Sequence, residues 1–368
     1  MQSSGKLHLG NLLGALENWV EMQEEFDCLY FVADWHALSS NYQNTQELKD
    51  NMIDMGINWL AAGIDPEKST LFIQSRLPQH AVLYLLLGMI TPLPWLERVP
   101  SYKEKMEQVK IQVKIKENIE QTMSKGTVYE MGPIETLEEK RLKAKMELDR
   151  NLHTYGFLGY PVLQAADIIL YKAHYVPVGV DQLPHLELTR EIVRRFHELF
   201  GKSKKVFIEP QGKLGVVEKL PGIDGRKMSK SYGNAIFLSD PPEARDKKIS
   251  IIVTDPARVR RTDKGHPEVC HAFSFHKVFT KPERGSEIEA DCKSAAMGCV
   301  ACKKELAKNV SLYLARFDEE RAKWSNRPRD VMDILLEGTK KAAVIADKTL
   351  AEAEEAIGLS LPKDRRAF

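Results

Sequence analysis

The sequence predicts an α/β protein: a doubly wound, Rossmann-type parallel sheet in the first part of the chain and an all-α domain after it. Three observations predict this. Short apolar runs alternate with segments of helical spacing up to about residue 210. Those runs are apolar at consecutive positions, as strands covered on both faces require. After Asp240-Pro241-Pro242 the strand pattern stops and charged helical segments take over. Residues 1–240 are therefore expected to form the sheet domain, with a charged insertion over about 103–152, and residues 241–368 the helical domain.

The chain opens on a turn. Met1-Gln2-Ser3-Ser4-Gly5-Lys6-Leu7-His8-Leu9-Gly10-Asn11 runs into a helix whose apolar face is Leu12, Leu13, Ala15, Leu16, Trp19 and Val20. A glycine turn opening a helix offers free backbone N–H groups and the positive end of the dipole to an anion. His8 and Asn11 add donors, although many helices start with Ser and Gly. A phosphate turn in a doubly wound sheet follows a central strand. None precedes this one, so the expectation is a longer native amino terminus or a Met1 that is not the native start.

Next come a buried strand over 28–34, a helix over 45–62 ending near Gly63, a strand over 70–74 and a leucine-rich helix over 80–96. Residues 103–152 are dense in Lys and Glu, which reads chiefly as solvated helix surface. The pattern resumes with an apolar helix over 159–171, a strand from 175 leading to a Gly-x-Asp-Gln turn at 179–182, and a helix over 183–199. A last strand is expected over 206–210. In the helical part, Leu306, Val310, Leu312, Leu314 and Phe317 mark one apolar face, and Val331, Ile334, Leu335 and Leu336 another.

Composition narrows the class. Lys+Arg number 53 against 52 Asp+Glu, so overall charge does not advertise a polyanion partner. Such a partner would meet a local basic face. Arg258, Arg260, Arg261 and Lys264 form one, equally readable as a solvated patch. No apolar run approaches the ~20 residues that span a bilayer, and the start lacks the order of a signal peptide. The expected location is the cytoplasm.

The stretch Gly225-Arg226-Lys227-Met228-Ser229-Lys230-Ser231-Tyr232-Gly233-Asn234 is the most specific in the chain. Its glycines permit backbone angles closed to other residues. Lys227 and Lys230 put two compact cations on the loop, suited to phosphate oxygens, and Ser229 and Ser231 add donors. A lone Lys-Ser-Lys is usually solvated surface; the longer run is much less common by chance.

Asp167 stands out on the helix over 159–171, among Ala166, Ile168, Ile169 and Leu170. A carboxylate on an apolar helix costs several kcal/mol unless it is paired or hydrogen-bonded. One reading is a helix-surface acid. The other is an acceptor at the bottom of an apolar pocket, able to take an indole N–H, which donates and does not accept. Gly179, Val180, Asp181 and Gln182 fall at the carboxyl end of a strand, where ligands bind in such sheets.

Of the five cysteines, Cys28 reads as a core thiol. Cys270, Cys292, Cys299 and Cys302 are spaced C-x21-C-x6-C-x2-C. In a reducing compartment this favours metal over disulfides. From spacing alone a zinc ion is the more common occupant and an iron–sulfur cluster the second.

The Lys-Met-Ser-Lys-Ser run resembles the second ATP-binding signature of class I aminoacyl-tRNA synthetases. His8-Leu9-Gly10-Asn11 resembles the first, usually His-Ile-Gly-His, with Asn11 in place of its second histidine. With Gly-x-Asp-Gln at 179–182 and the Leu-Gln-Ala-Ala-Asp helix in order, the resemblance covers essentially the whole chain and is to the bacterial tryptophanyl branch. It implies activation of L-tryptophan with Mg-ATP (Mg2+ as the companion ion) and transfer to tRNA(Trp).

Lys227 and Lys230 would then close on the pyrophosphate, with Met228, Ser229 and Ser231 of the same loop near ATP. Gln2, Ser4, His8, Gly10 and Asn11 would hold phosphates and nucleoside. Lys103 and Lys105 match lysines that face ATP in relatives. Gly179, Val180 and Asp181 would contact the adenosine side. Asp167 would accept the indole N–H. Tyr160 and Gln182 would orient the ammonium, and Gln164 stands where many relatives have Met. A subset of these synthetases carries a four-iron four-sulfur (4Fe-4S) cluster, which would place one on the four cysteines. Family members pair as homodimers. The tyrosine-specific sister enzyme is the nearest rival, and a synthetase-like tRNA- or nucleotide-binding module without ligase activity is a different class of alternative.

Overall fold

The computed structural model describes residues 1–3, 5–42, 45–100, 154–201, 205–214, 220–229 and 232–360. They form two compact units, each assembled from separated stretches of sequence. The first unit comprises Met1–Asp34, Gln46–Ile73 and Leu214–Lys341; the second comprises Trp35–Thr45, Gln74–Lys213 and Ala342–Phe368.

In the first unit, helix α1 runs as Leu9–Asn11, a π-helical stretch Leu12–Leu16, and Glu17–Met22. Strand β1, Cys28–Val32, pairs in parallel with β2, Ser69–Ile73, Tyr30 opposite Leu71. The first residues extend that sheet in parallel register. The Met1 amino group donates to the Phe31 carbonyl at 2.6 Å, the Ala33 N–H donates to the Met1 carbonyl at 2.8 Å, and Gln2 bridges Ala33. Between the strands, helix α3, Leu48–Ala62, buries Met55, Ile57, Trp59 and Leu60 and ends on Gly63, whose φ of +105° suits glycine.

The helical C-terminal region supplies α8 (Pro242–Ser250), α9 (His271–Phe279), α10 (Pro282–Lys293) and α11 (Cys299–Ser325) to the same unit. Leu306, Val310, Leu314 and Phe317 of α11 join α3 in one core, as their spacing predicts, while Leu312 is exposed. The last helix, α12 (Pro328–Ile357), contributes Val331 and Leu335. Gly338 lets it approach the backbone of β2: a Cβ there would stand 1.9 Å from the Leu71 carbonyl oxygen. Thr339 Oγ1 accepts the Ile73 N–H at 3.3 Å.

In the second unit, α2 (Asp34–Asn41), α4 (Gln79–Ile90), α5 (Leu93–Glu97), α6 (Tyr155–Ile169) and α7 (Leu183–Phe200) pack around Leu83, Leu87, Val162, Ile169, Ile192 and Phe196. The helix expected over 80–96 is broken, because Thr91 turns to extended backbone before Pro92. Strand β3 is short, Tyr175–Val178, and pairs with β4, Gln211–Leu214. The strand expected over 206–210 does not form. The Val206 and Phe207 N–H groups both donate to His197 Nε2, at 3.1 and 3.2 Å, instead of to a ladder. Both side chains are buried, which explains the apolar signal. The insertion at 103–152 lies outside the described residues.

Candidate functional site

The two signature stretches meet within the first unit. Leu9 donates to the Ile236 carbonyl at 3.0 Å, and Leu238 donates to the Leu7 carbonyl at 2.9 Å. His8 thus bridges Phe237, just beyond the lysine loop. The His8 ring lies over Gly10, where a Cβ would stand 3.1 Å from it, and Met228 Sδ lies 3.9 Å from the same point. A side chain at this position would press on the His8 ring, which would have to give way by a few tenths of an ångström. Asn11 Oδ1 accepts the His8 N–H at 3.0 Å, so the residue that replaces the family's second histidine caps α1.

The lysine loop is built on Asn234, which is 2 % exposed. Its Oδ1 accepts the Ser229 N–H at 2.8 Å, and its Nδ2 donates to Asp224 Oδ1 at 2.7 Å and to the Lys227 carbonyl at 3.2 Å. Those bonds, with the Arg226 guanidinium beside it, hold the Asp224 carboxyl at about 2. Gly225 has φ +85°, and a Cβ there would meet His271 Nε2 at 2.2 Å. Met228 is buried while Lys227 is exposed, so the loop anchors through its apolar residue and presents its cation to solvent. Ser4, Lys103, Lys105, Lys230 and Ser231 lie outside the described residues; Gln2 sits in the sheet register given above.

The second unit holds the amino-acid-sized features. Tyr160, Gln164 and Asp167 share one face of α6, at i, i+4 and i+7. Tyr160 and Leu163 line a cavity of about 310 Å³ with Trp35, Leu38, Tyr42 and Tyr84. Tyr160 Oη lies 3.3 Å from His185 Nε2, and burial lowers the pKa of His185. Asp181 folds back on Gly179, whose Cβ would stand 2.7 Å from its Oδ1. Val180 and Gln182 complete a 3₁₀ turn with Asp181 at the foot of α7.

Asp167 is 3 % exposed and is held by three side chains the sequence reading did not single out. His36 Nε2 lies 2.7 Å from Oδ2, and His80 Nδ1 lies 2.7 Å from Oδ1. Gln74 Nε2 spans both oxygens at 2.8 and 2.9 Å. Burial alone would raise the Asp167 pKa, but the bonds from His36 and His80 outweigh it and hold the group at about 2. The buried-acceptor reading of this residue thus has its compensating donors. The available signal was positional: Gln74 follows β2 and His36 follows β1, both at the carboxyl ends of strands.

The four clustered cysteines sit in one part of the first unit. Cys270 precedes α9, Cys292 closes α10, and Cys299 and Cys302 open α11. All four are free thiols. Burial, together with the charges of Cys270, Cys292 and Cys299, pushes the Cys302 thiol up to about 12. Among the described residues no group of three or more His, Cys, Asp or Glu side chains is arranged to hold a metal ion. Nor, among them, is any helix long and apolar enough to cross a membrane.

Comparison with known proteins agrees with this geometry. The model of the family "tRNA synthetases class I (W and Y)" matches residues 1–122 and 113–315. The chain is 45 % identical to the tryptophan–tRNA ligase of Aquifex aeolicus over 391 aligned residues and 46 % identical to that of Thermotoga maritima over 362, covering 98 % of each chain. Among solved structures, the Campylobacter jejuni tryptophanyl-tRNA synthetase complexed with ADP and tryptophan superposes with a TM-score of 0.77 at 31 % identity, over 98 % of both chains. With its two signatures joined through Gly10 and Met228 and its relatives matching from end to end, the chain belongs to the class I tRNA synthetases of the tryptophan and tyrosine family.

Proposed function

We infer that this chain is a tryptophan–tRNA ligase acting in two steps. The tryptophan carboxylate attacks the α-phosphate of Mg-ATP in line, forming the P–O bond of tryptophanyl-adenylate as pyrophosphate leaves. The terminal ribose hydroxyl of tRNA(Trp) then attacks the acyl carbon and releases AMP. The first step needs no general base, because the carboxylate is already ionised. What remains is positioning and stabilisation of charge on the departing pyrophosphate. Lys227 and Lys230 carry that role, with Met228, Ser229 and Ser231 completing the loop, and His8, Gly10, Asn11, Gln2 and Ser4 hold the nucleotide. Lys105 is assigned to the triphosphate. Gly179, Val180 and Asp181 serve the adenosine, while Tyr160, Gln164, Asp167 and Gln182 bind tryptophan, Asp167 taking the indole N–H.

The observation that carries this reading is the pairing of Leu7–Leu9 with Ile236–Leu238, which ties the first signature to the base of the second. Tryptophan-dependent exchange of pyrophosphate into ATP tests it. Replacing Lys227 and Lys230 together by alanine is expected to slow exchange at least ~100-fold. Exchange at the normal rate in that variant would overturn the assignment, and exchange driven by tyrosine would overturn the substrate.

The finer reading gives residues 1–240 to catalysis and 241–368 to anticodon reading, in the cytoplasm. It places a 4Fe-4S cluster on Cys270, Cys292, Cys299 and Cys302, with zinc as the alternative occupant. The four cysteines stand at the ends of three helices of one unit: Cys270 before α9, Cys292 at the end of α10, and Cys299 and Cys302 at the start of α11. Bound there, such a cluster would cross-link α9, α10 and α11 through these cysteines. Iron with acid-labile sulfide in protein purified without oxygen supports it; stoichiometric zinc refutes it. A homodimer fits the apolar stripe of Val82, Leu85, Met89 and Leu93 that α4 and α5 leave exposed.

A further inference from the structure

The junction of the two signatures has two edges. In an extended antiparallel pair, the backbone groups of successive residues point to alternate sides. The Ile236 carbonyl and the Leu238 N–H face Leu7–Leu9 and are used there. Ala235 and Phe237 therefore present their backbone to the opposite side, where two side chains meet them in place of a strand. Lys248 Nζ, from α8, donates to the Ala235 carbonyl at 3.0 Å and to Asp240 Oδ2 at 2.7 Å. The same Asp240 Oδ2 accepts the Phe237 N–H at 2.8 Å. The ammonium also lies 4.5 Å from the centre of the Phe237 ring. Ala235, Ile236 and Leu238 are at most 1 % exposed, so their backbone groups need partners within the protein. Lys248 and Asp240 supply what a neighbouring strand would have given.

We propose that Lys248 and Asp240 are positioning residues for ATP: an ion pair that closes the outer edge of residues 235–238 and so keeps the two signatures in register. The inference rests on the reading that these signatures hold ATP. Both hang from this short segment. Phe237 bridges His8, and Asn234, next to Ala235, holds the backbone of the lysine loop through Ser229 and Lys227. With a carbonyl, a carboxylate and a ring face around it, the Lys248 ammonium is committed to the protein and acts on the nucleotide only through the strand. Without it, the Ala235 carbonyl loses its donor and Asp240 its counter-ion. The carboxylate then turns toward water and gives up the Phe237 N–H, and His8 and Lys227 no longer address one nucleotide together. The residues assigned to tryptophan, Tyr160, Gln164, Asp167 and Gln182, belong to the second unit and make none of these bonds.

The test is pyrophosphate exchange by the full chain, with ATP and tryptophan varied in turn. Wild type without tryptophan-dependent exchange would overturn the underlying reading, and this inference with it, before any variant is made. Given that exchange, Lys248→Met, which keeps the apolar stem and removes the donors, is expected to raise KM for ATP about 10-fold. KM for tryptophan is expected to stay within about 2-fold. Lys248→Arg, which keeps donors for a carbonyl and a carboxylate, is expected to restore most of the loss. Asp240→Asn is expected to raise KM for ATP as well, and combining it with Lys248→Met to add little, because the two residues act as one unit. An unchanged KM for ATP, parallel rises in both KM values, or effects that simply multiply in the double variant would overturn the proposal. Should Lys248→Met fail to fold, Asp240→Asn under the same two titrations decides it.

Discussion

Asn234 bonds both arms of the lysine loop at once: its Oδ1 takes the Ser229 N–H while its Nδ2 reaches the Lys227 carbonyl and Asp224. A single buried amide therefore sets the path of the backbone from which Lys227 projects.

Replacing Asn234 by alanine leaves an N–H, a carbonyl and a carboxylate without this partner. Three bonds that set the path of the loop are lost together, and the expected result is a fall of roughly 10-fold in the pyrophosphate exchange rate. Asn234→Asp is expected to be worse than alanine, because it sets a second carboxylate against Asp224. Exchange kinetics of the two variants check the order.

Gly338→Ala illustrates two effects of opposite sign. Alanine is favoured over glycine inside a helix by about 1 kcal/mol. Here its Cβ would stand 1.9 Å from the Leu71 carbonyl oxygen, a backbone atom that cannot step aside. Overpacking of this kind costs about 1–3 kcal/mol and sometimes more, so the clash wins. The variant is expected to melt below wild type.

Arg245 is 1 % exposed and pairs with Asp318, while its Nε and Nη1 have no hydrogen-bond partner among the described residues. Breaking a buried pair costs about 3–5 kcal/mol; Asp318 is a third exposed, so Asp318→Ala is expected near the lower end. Arg245→Met removes the charge together with its need for a partner and is expected to be much milder. Urea melts of both variants distinguish an uncompensated charge from lost packing.

Acid is expected to destabilise the fold in two stages. His185 and His276 have folded pKa values below 6.5, lowered mainly by burial. The unfolded chain takes up those protons first, so stability declines as pH falls below about 6.5. Asp167 has a folded pKa of about 2 against an ordinary 3.8. Its contribution is fully present above 3.8 and is lost as pH falls through 2. His185→Gln is expected to make the first stage shallower, His276 keeping its part, and to leave the second; thermal melts from about pH 7 down to about pH 2 report both.

What the sequence made legible was what is local in the chain. The helix-opening turn, the lysine loop, the glycine stop at Gly63 and the α11 face each depend on residues a few positions apart; the stop stands where spacing puts it, and so does the α11 face apart from the exposed Leu312. Asp167 was visible as an acid out of place on an apolar helix. Its partners were not, because His36, Gln74 and His80 lie 131, 93 and 87 residues away, a separation only the fold closes. The segment 206–210 misled for a related reason. Burial was read correctly, but a histidine imidazole, invisible to period-two patterning, takes the two N–H groups a ladder would have used.

Gly338 and Thr339 give α12 a second consequence. Bare strand margins invite other chains to pair with them and aggregate. With β1 on one side of β2 and the last helix bonded to Ile73 on the other, that margin is sealed. The seal comes from near residue 340, so a ribosome-bound chain has made the strand long before it can cover it. Nascent or carboxy-truncated chains should accordingly depend on chaperones, however sound the rest of the molecule.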